Sequence, residues 1–243
     1  MLNETMRQLY DRKSVRVFEE REITKEEKEQ ILQAAFMAPT AGNQQLYTIL
    51  DITDPKIKKE LVKTCDNQPF IAKAKLVLIF CADCKKWYDG FLAAGCEPRN
   101  PGVGDFALAI SDAVIAAQNA VVAAESLGIG SCYIGDVMEN CEKQRELLHL
   151  PKYVFPAAML VFGYPTEQQK ERKKPERAAK EYIVHENGYQ ELTGEQLKDM
   201  FSIRTLERPY EEYMEAFCNR KYNSDFSREM TRSVGEYIKD FTK

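Results

Sequence analysis

The sequence predicts a globular chain that mixes helices and strands around one buried helix, and three segments carry that expectation. Residues 106–124 hold eight alanines and a single charge, Asp112. Residues 76–81 read LVLIFC, the pattern of a strand covered on both faces. Thr24 and Glu27 form a capping box ahead of the apolar stripe Ile31, Leu32, Ala35 and Phe36.

In chain order, a first helix is expected over about 3–10, followed by the basic loop Asp11-Arg12-Lys13-Ser14-Val15-Arg16. The helix from Thr24 is stopped by Pro39, and Thr40-Ala41-Gly42-Asn43 reads as an exposed turn. Residues 46–53 suit a strand, and Asp54-Pro55 opens a third helix with a cap followed by proline at the first helical position. The apolar stretch 106–124 is long enough to suggest a membrane span. Its polar positions, Asp105, Ser111-Asp112, Gln118-Asn119 and Glu125-Ser126, recur every seven residues as one narrow stripe. Such a helix belongs in a protein core or at a subunit interface, not in lipid. Gly128-Ile129-Gly130 ends it.

A helix near 141–148 and a strand over 157–162 follow, then a polar, basic stretch from Gln168 to Lys180. Residues 181–184 are expected to form a last strand. Beyond Thr193 the texture changes to charged amphipathic helices, over about 193–201, 207–218 and 225–240. These carry Tyr210, Tyr213, Phe217, Tyr222, Phe226 and Tyr237, too many aromatics for a disordered end. The expected organisation is a domain over residues 1–192 and a helical extension over 193–243 that packs on it or on a partner subunit.

Composition narrows the function. With Lys+Arg 34 against Asp+Glu 38, the net charge is −4, which disfavours a nucleic-acid partner because phosphate binding needs a positive face. The residues Met1-Leu2-Asn3-Glu4-Thr5 lack the basic-then-apolar order of a signal peptide, and the seven cysteines are read as reduced thiols of a cytoplasmic protein. Two histidines, His149 and His185, leave no room for a multi-histidine metal centre. The chain also lacks GxGxxG after a strand, a Walker A sequence and a GxSxG elbow. Chemistry is therefore expected to rest on a cofactor.

Three clusters stand out. Arg12-Lys13-Ser14-x-Arg16 suits a phosphate monoester, with guanidinium forks, an ammonium and a short hydroxyl donor, although short basic runs are ordinarily solvated surface. Lys174 and Arg177 suit the same anion, or a solvated linker. Cys81-Ala82-Asp83-Cys84, with Cys96 beyond, has CxxC spacing, but no second pair supplies zinc ligands, and Cys81 ends a buried strand, where cysteine acts as a small hydrophobe.

Taken together, these segments resemble the FMN-dependent nitroreductase family. Arg12-Lys13-Ser14-Val15-Arg16-Val17-Phe18 is similar to its R-R-S-x-R-x-F opening, and Ala38-Pro39-Thr40-Ala41-Gly42-Asn43-Gln44-Gln45 to its A-P-S-x-x-N-x-Q turn. Residues 112–119 with Gly128 through Gly135 resemble its central helix and following loop. Gly163-Tyr164-Pro165 with Lys174-Pro175-x-Arg177 resembles its late G-x-P and K-P-R segments. The tail resembles the extension of the nitroreductase-A-like branch. Four departures are visible: Lys13 stands for the second arginine, Asp136 stands where a second glycine is common, Gln45-Leu46-Tyr47 replaces Q-P-W, and Lys174-Pro175-Glu176-Arg177 is one residue longer than K-P-R.

The resemblance implies an α+β nitroreductase fold, a mostly antiparallel central sheet flanked by helices in an interlocked homodimer, with FMN sites at the interface and the alanine-rich helix as the dimer spine. It implies FMN-binding roles for Arg12, Lys13, Ser14 and Arg16 at the phosphate and ring edge, joined by Lys174 and Arg177. Pro39, Thr40 and Asn43 reach the ring from the other subunit, Gln68 lies beside it, and Tyr133, Ile134 and Gly135 lie on the opposite face. The implied activity is ping-pong hydride transfer from NAD(P)H through FMN to small-molecule acceptors such as nitroaromatics or quinones, with no side chain as an obligatory acid or base. The alternatives are an enoyl or dehalogenating flavin reductase and a non-catalytic flavin or dithiol sensor using Cys81 and Cys84.

Overall fold

The computed structural model describes residues 2–205 and 208–242. In chain order the elements are α1 (Glu4–Asp11), α2 (Lys25–Phe36), β1 (Tyr47–Asp51), α3 (Pro55–Thr64), α4 (Phe70–Lys73), β2 (Leu76–Asp83), α5 (Lys85–Ala93) and α6 (Val103–Ser126). They continue with β3 (Gly130–Ile134), α7 (Cys141–Leu148), β4 (Val154–Gly163), α8 (Glu167–Glu171), α9 (Gly194–Thr205), α10 (Tyr210–Lys221) and α11 (Asp225–Ile238). The four strands form one sheet in the order β1-β2-β4-β3, and every pairing is antiparallel. The fold class is α+β, as the sequence resemblance implies.

Local chemistry explains most boundaries. Thr24 and Glu27 exchange both capping-box hydrogen bonds at the start of α2. Asp54 caps α3 through Lys56 N, and Pro55 supplies the first helical residue. Gly128 takes a positive φ of 73° just beyond α6, a conformation that only glycine adopts without strain. β2 and β4 lie in the middle of the sheet and are buried along their whole length, which is why both read as continuous apolar runs.

α6 packs one face against α2 and across β2 and β4. Its buried positions include Phe106, Ala109, Ala113, Ala116, Ala117, Ala120, Val121 and Ala124, and the alanines allow close approach to the sheet. The polar stripe is not one solvated line. Asp112 is buried and accepts the backbone N–H groups of Ala41 and Leu46, while Ser111 and Gln118 face outward. The outward face stays apolar elsewhere, with Val103, Leu108, Val114 and Ile115 exposed.

Two expectations need correction. Residues 181–184 form no strand: the segment makes a short 3-10 turn at Lys180–Tyr182, and Ile183 and Val184 stand exposed without a sheet partner. Residues 130–134, expected as part of a loop, form the edge strand β3, whose identity comes from pairing with β4 and not from local propensity.

The chain divides into two compact units, Met1–Arg172 with Glu229–Lys243, and Lys173–Arg228. The end of the chain thus belongs to the first unit. Tyr237 and Phe241 are buried there in an aromatic cluster with Phe106 and Phe155, at centroid distances of 4.7–5.1 Å. Within the same unit Ser233 Oγ accepts Cys141 N and Glu229 Oε1 accepts Asn140 N, so the last helix satisfies the open N-terminus of α7. Arg232 reinforces this with a two-pronged pair to Glu142, both at 2.9 Å. In the second unit, α9 and α10 meet through Lys198, which pairs with Glu211 and lies over the Tyr210 ring.

Candidate active site

Residues 12–19 form an extended strap along the end of the sheet. Ser14 bridges Ser131 of β3, Val15 N donates to Ser131 O at 2.9 Å, Phe18 bridges Pro165, and Glu19 N donates to Tyr164 O at 2.8 Å. Two glycines make this approach possible. A Cβ on Gly130 would lie 2.6 Å from Val15 Cγ2, and one on Gly163 would lie 2.6 Å from the Phe18 ring. Behind the strap, Gln169 of α8 accepts from Arg16 N at 3.2 Å, and Arg172 donates to Ser14 O.

Side chains alternate along such a strap. Arg12, Ser14 and Arg16 lie together around the buried Cys132. Burial raises the Cys132 thiol's pKa, and those three side chains act against that rise. Arg12 Nε is buried with no hydrogen-bond partner among the described residues, which marks a donor awaiting an acceptor. Arg16 stacks its guanidinium 6.0 Å from the Phe70 ring centroid. Lys13 turns the other way: its ammonium donates to Lys170 O at 2.5 Å and lines a cleft of about 300 Å³ with Asp11, Val15, Gly128 and Gln169.

β3 leads directly from this cluster to Tyr133, Ile134 and Gly135. Ile134 is buried, while Tyr133 is half-buried and donates to Gln118 Oε1 at 3.3 Å. Burial pushes the Tyr133 hydroxyl up to about 12, against the opposing charge of Arg12. Gly135 is exposed, and a Cβ there would meet only Met138 Cε at 3.6 Å. Nothing in the chain itself requires glycine at this point.

Gln68 sits in the turn after α3, where Asp66 and Asn67 both adopt left-handed backbone (φ 55° and 51°). Its Nε2 donates to Asp136 Oδ2 at 2.8 Å and to Cys65 O at 3.1 Å. Asp136 follows Gly135 directly, so Gln68 and the end of β3 share one corner. Next to it, burial first, and then the charges of Asp136, Asp66 and Glu229, push the Glu139 carboxyl up to about 7.

The remaining expected residues lie elsewhere. Pro39, Thr40 and Asn43 belong to the turn after α2, whose hydrogen bonds run to Asp112 and within the turn itself. Lys174 and Arg177 belong to the second unit. There Arg177 lines a cavity of about 450 Å³ with Lys180, Ile183, Met200, Phe201 and Arg204. Cys81 and Cys84 are both buried, and desolvation pushes each thiol up to about 12, the opposite of a reactive pair. No cluster of metal-ligating side chains occurs among the described residues.

The model of the Nitroreductase family matches residues 9–164. The chain belongs to the nitroreductase family. Among curated members, it is 33% identical to FMN reductase (NAD(P)H) of Bacillus subtilis, over 97% of this chain and 91% of that protein. It is 34% identical to the oxygen-insensitive NADPH nitroreductase of Salmonella typhimurium, over 79% of this chain and 77% of that one. Among solved structures, the NADPH:FMN oxidoreductase of Vibrio harveyi complexed with NAD+ superposes with a TM-score of 0.77 at 27% identity, covering 99% of both chains. The strap, the β3 corner and the central sheet of this nitroreductase all lie within the matched segment.

Several features of the family member's site were not singled out from sequence. Asp112 was seen as the one charge of the apolar stretch and not as the anchor of the turn after α2, and Asp136 only as a departure from glycine. Phe70 and Glu139 carry no local signal.

Proposed function

We propose that the protein is an NAD(P)H-dependent FMN oxidoreductase of the nitroreductase type, reducing small-molecule acceptors such as nitroaromatics or quinones. The observation that carries this reading is the strap. Arg12, Ser14 and Arg16 converge beside a glycine-lined sheet end, and Arg12 Nε is buried without a partner. This donor set suits a phosphate ester and the electron-rich edge of a flavin. The open backbone at Gly135 suits close approach by a flat ring.

In this reading Arg12, Ser14 and Arg16 hold the FMN phosphate and ring edge, while Lys13, whose ammonium is turned to Lys170 O, adds positive charge only at longer range. Gln68 lies at the ring edge, and the backbone of Tyr133, Ile134 and Gly135 faces the ring from the other side. Bound FMN supplies hydride transfer between NAD(P)H and the acceptor. The residues bind, orient and stabilise negative charge, and none serves as an obligatory acid or base. NAD(P)H and acceptor occupy the same face in turn.

The exposed apolar face of α6 supports a homodimer, since four large side chains on one helix of a monomer lie open to water. Pro39, Thr40 and Asn43 then serve the ring bound by the second copy. The seven unpaired cysteines agree with a cytoplasmic setting.

The visible absorption spectrum of purified protein tests the whole reading. We expect bound flavin that NAD(P)H bleaches without oxygen. Protein that is colourless and takes up no added FMN overturns it.

A further inference from the structure

Gln68 and Asp136 are 68 positions apart in the chain and meet at one corner of the first unit. Gln68 Nε2 donates to Asp136 Oδ2 at 2.8 Å and to Cys65 O at 3.1 Å. A side-chain amide nitrogen carries two protons, and both are thereby used. Turning the amide over would set its oxygen against a carboxylate and a carbonyl, both acceptors. The chemistry of the two neighbours therefore fixes which end of the amide points outward. The polar atom left to Gln68 is Oε1, which only accepts.

Asp136 stands at the position where the sequence departs from a second glycine, and a glycine has no carboxylate to take the amide proton. The side-chain donors of Arg12, Ser14 and Arg16 lie on the strap. Gln68 thus adds an acceptor to a site otherwise rich in donors.

We propose that Asp136 is a positioning residue that makes Gln68 a pure acceptor, so that the site selects a flavin edge bearing an N–H. This rests on the reading of Gln68 as a neighbour of the ring given above. The oxidised ring has a single N–H, at N3, between the carbonyls at C2 and C4. An amide free to turn matches either a carbonyl or the N–H; an amide locked by Asp136 matches the N–H alone.

The experiment titrates apoprotein with FMN and with N3-methyl-FMN, which has lost that proton, and follows flavin fluorescence. Wild-type protein is expected to prefer FMN by roughly tenfold, the effect of one well-made hydrogen bond. Asp136→Asn keeps the preference, because the Asn oxygen still accepts from Gln68 Nε2. Asp136→Ala and Asp136→Gly bring it down to about threefold, since only Cys65 O then opposes the turned amide and the stronger bond to the carboxylate is gone. A methyl clash unrelated to Gln68 would persist in these variants, so the change in preference is the readout. An unchanged preference in both Asp136→Ala and Asp136→Gly overturns the proposal, as does a wild-type protein that does not discriminate. If Gln68→Ala alters the affinity for neither ligand, Gln68 is not at the ring, and that reading falls together with the proposal. If Gln68→Ala weakens binding while the Asp136 variants keep the preference, only the role of Asp136 falls.

Discussion

Asp112, buried midway along the alanine-rich helix, accepts the backbone N–H of Ala41 across 2.9 Å. Its second oxygen takes Leu46 N at 3.1 Å, so one carboxylate pins both ends of the turn that carries Asn43. Removing it leaves two N–H groups without an acceptor. Asp112→Ala is expected to cost about 2–4 kcal/mol in chemical unfolding, with Asp112→Asn intermediate because one oxygen remains. If the turn meets the ring of a second copy, both variants also weaken FMN binding in the dimer.

Gly163→Ala tests the strap's seating. The added methyl would lie 2.6 Å from the Phe18 ring, and that ring is held between the strap backbone and the sheet. The expected loss is about 1–3 kcal/mol of stability, read by urea unfolding. A stability equal to wild type would mean that the strap shifts freely, which its hydrogen bonds to Tyr164 and Ser131 argue against.

Arg12→Ala should raise the dissociation constant for FMN by roughly 10- to 100-fold, because a charge-assisted, partly buried donor is lost. Riboflavin, which lacks the phosphate, separates two roles for Arg12. If its affinity is unchanged by the substitution, Arg12 serves the phosphate; if it falls in parallel, Arg12 serves the ring. Fluorescence titration of both ligands decides between them.

Glu139 gives stability a specific pH dependence. Burial and three neighbouring carboxylates raise its pKa from 4.5 to about 7 in the folded state. The folded chain thus holds this proton more tightly than the unfolded chain. The stabilisation is fully present below 4.5 and is lost as pH climbs through 7. Glu139→Gln should remove that decline and stabilise the apoprotein above pH ~7 by on the order of 2–3 kcal/mol. Groups with lowered values, such as Glu142 beside Arg232 at about 2, act in the opposite direction at more acid pH, outside this window. Unfolding midpoints of the two proteins measured across this range give the difference directly.

Cys81→Ser and Cys84→Ser are expected to leave NAD(P)H oxidation unchanged while lowering the unfolding midpoint. Each buries a hydroxyl in place of a thiol, at about 1–3 kcal/mol. Altered turnover at unchanged flavin content would instead give the pair a part in electron transfer.

Much of the fold was legible because its signals are local. The capping box at Thr24 and the Asp54-Pro55 start each depend on a few adjacent residues. The apolar runs of β2 and β4 identified themselves by burial on both faces. β3 did not, because Gly-Ser-Cys-Tyr-Ile becomes a strand only through its partner β4. Ile183 and Val184 misled in the opposite sense: β-branched residues favour a strand only where a sheet receives them. At the site, Arg12, Ser14 and Arg16 were visible as clustered charge, and their alternation away from Lys13 follows from the extended backbone. The pairing of Gln68 with Asp136 had no local trace, because only folding brings the two together.

The last helix has a consequence for how the protein is made. Residues 229–242 cap α7 and fill an aromatic core whose other members, Phe106 and Phe155, come from much earlier in the chain. The ribosome must therefore make the chain through Phe241 before the aromatic core of the first unit can close. Until Tyr237 and Phe241 have emerged, Phe106 and Phe155 lack those covering rings. A nascent chain stalled short of Ser233 should remain open to proteolysis, whereas lengthening the excursion at 173–228 should delay closure with little effect on final stability.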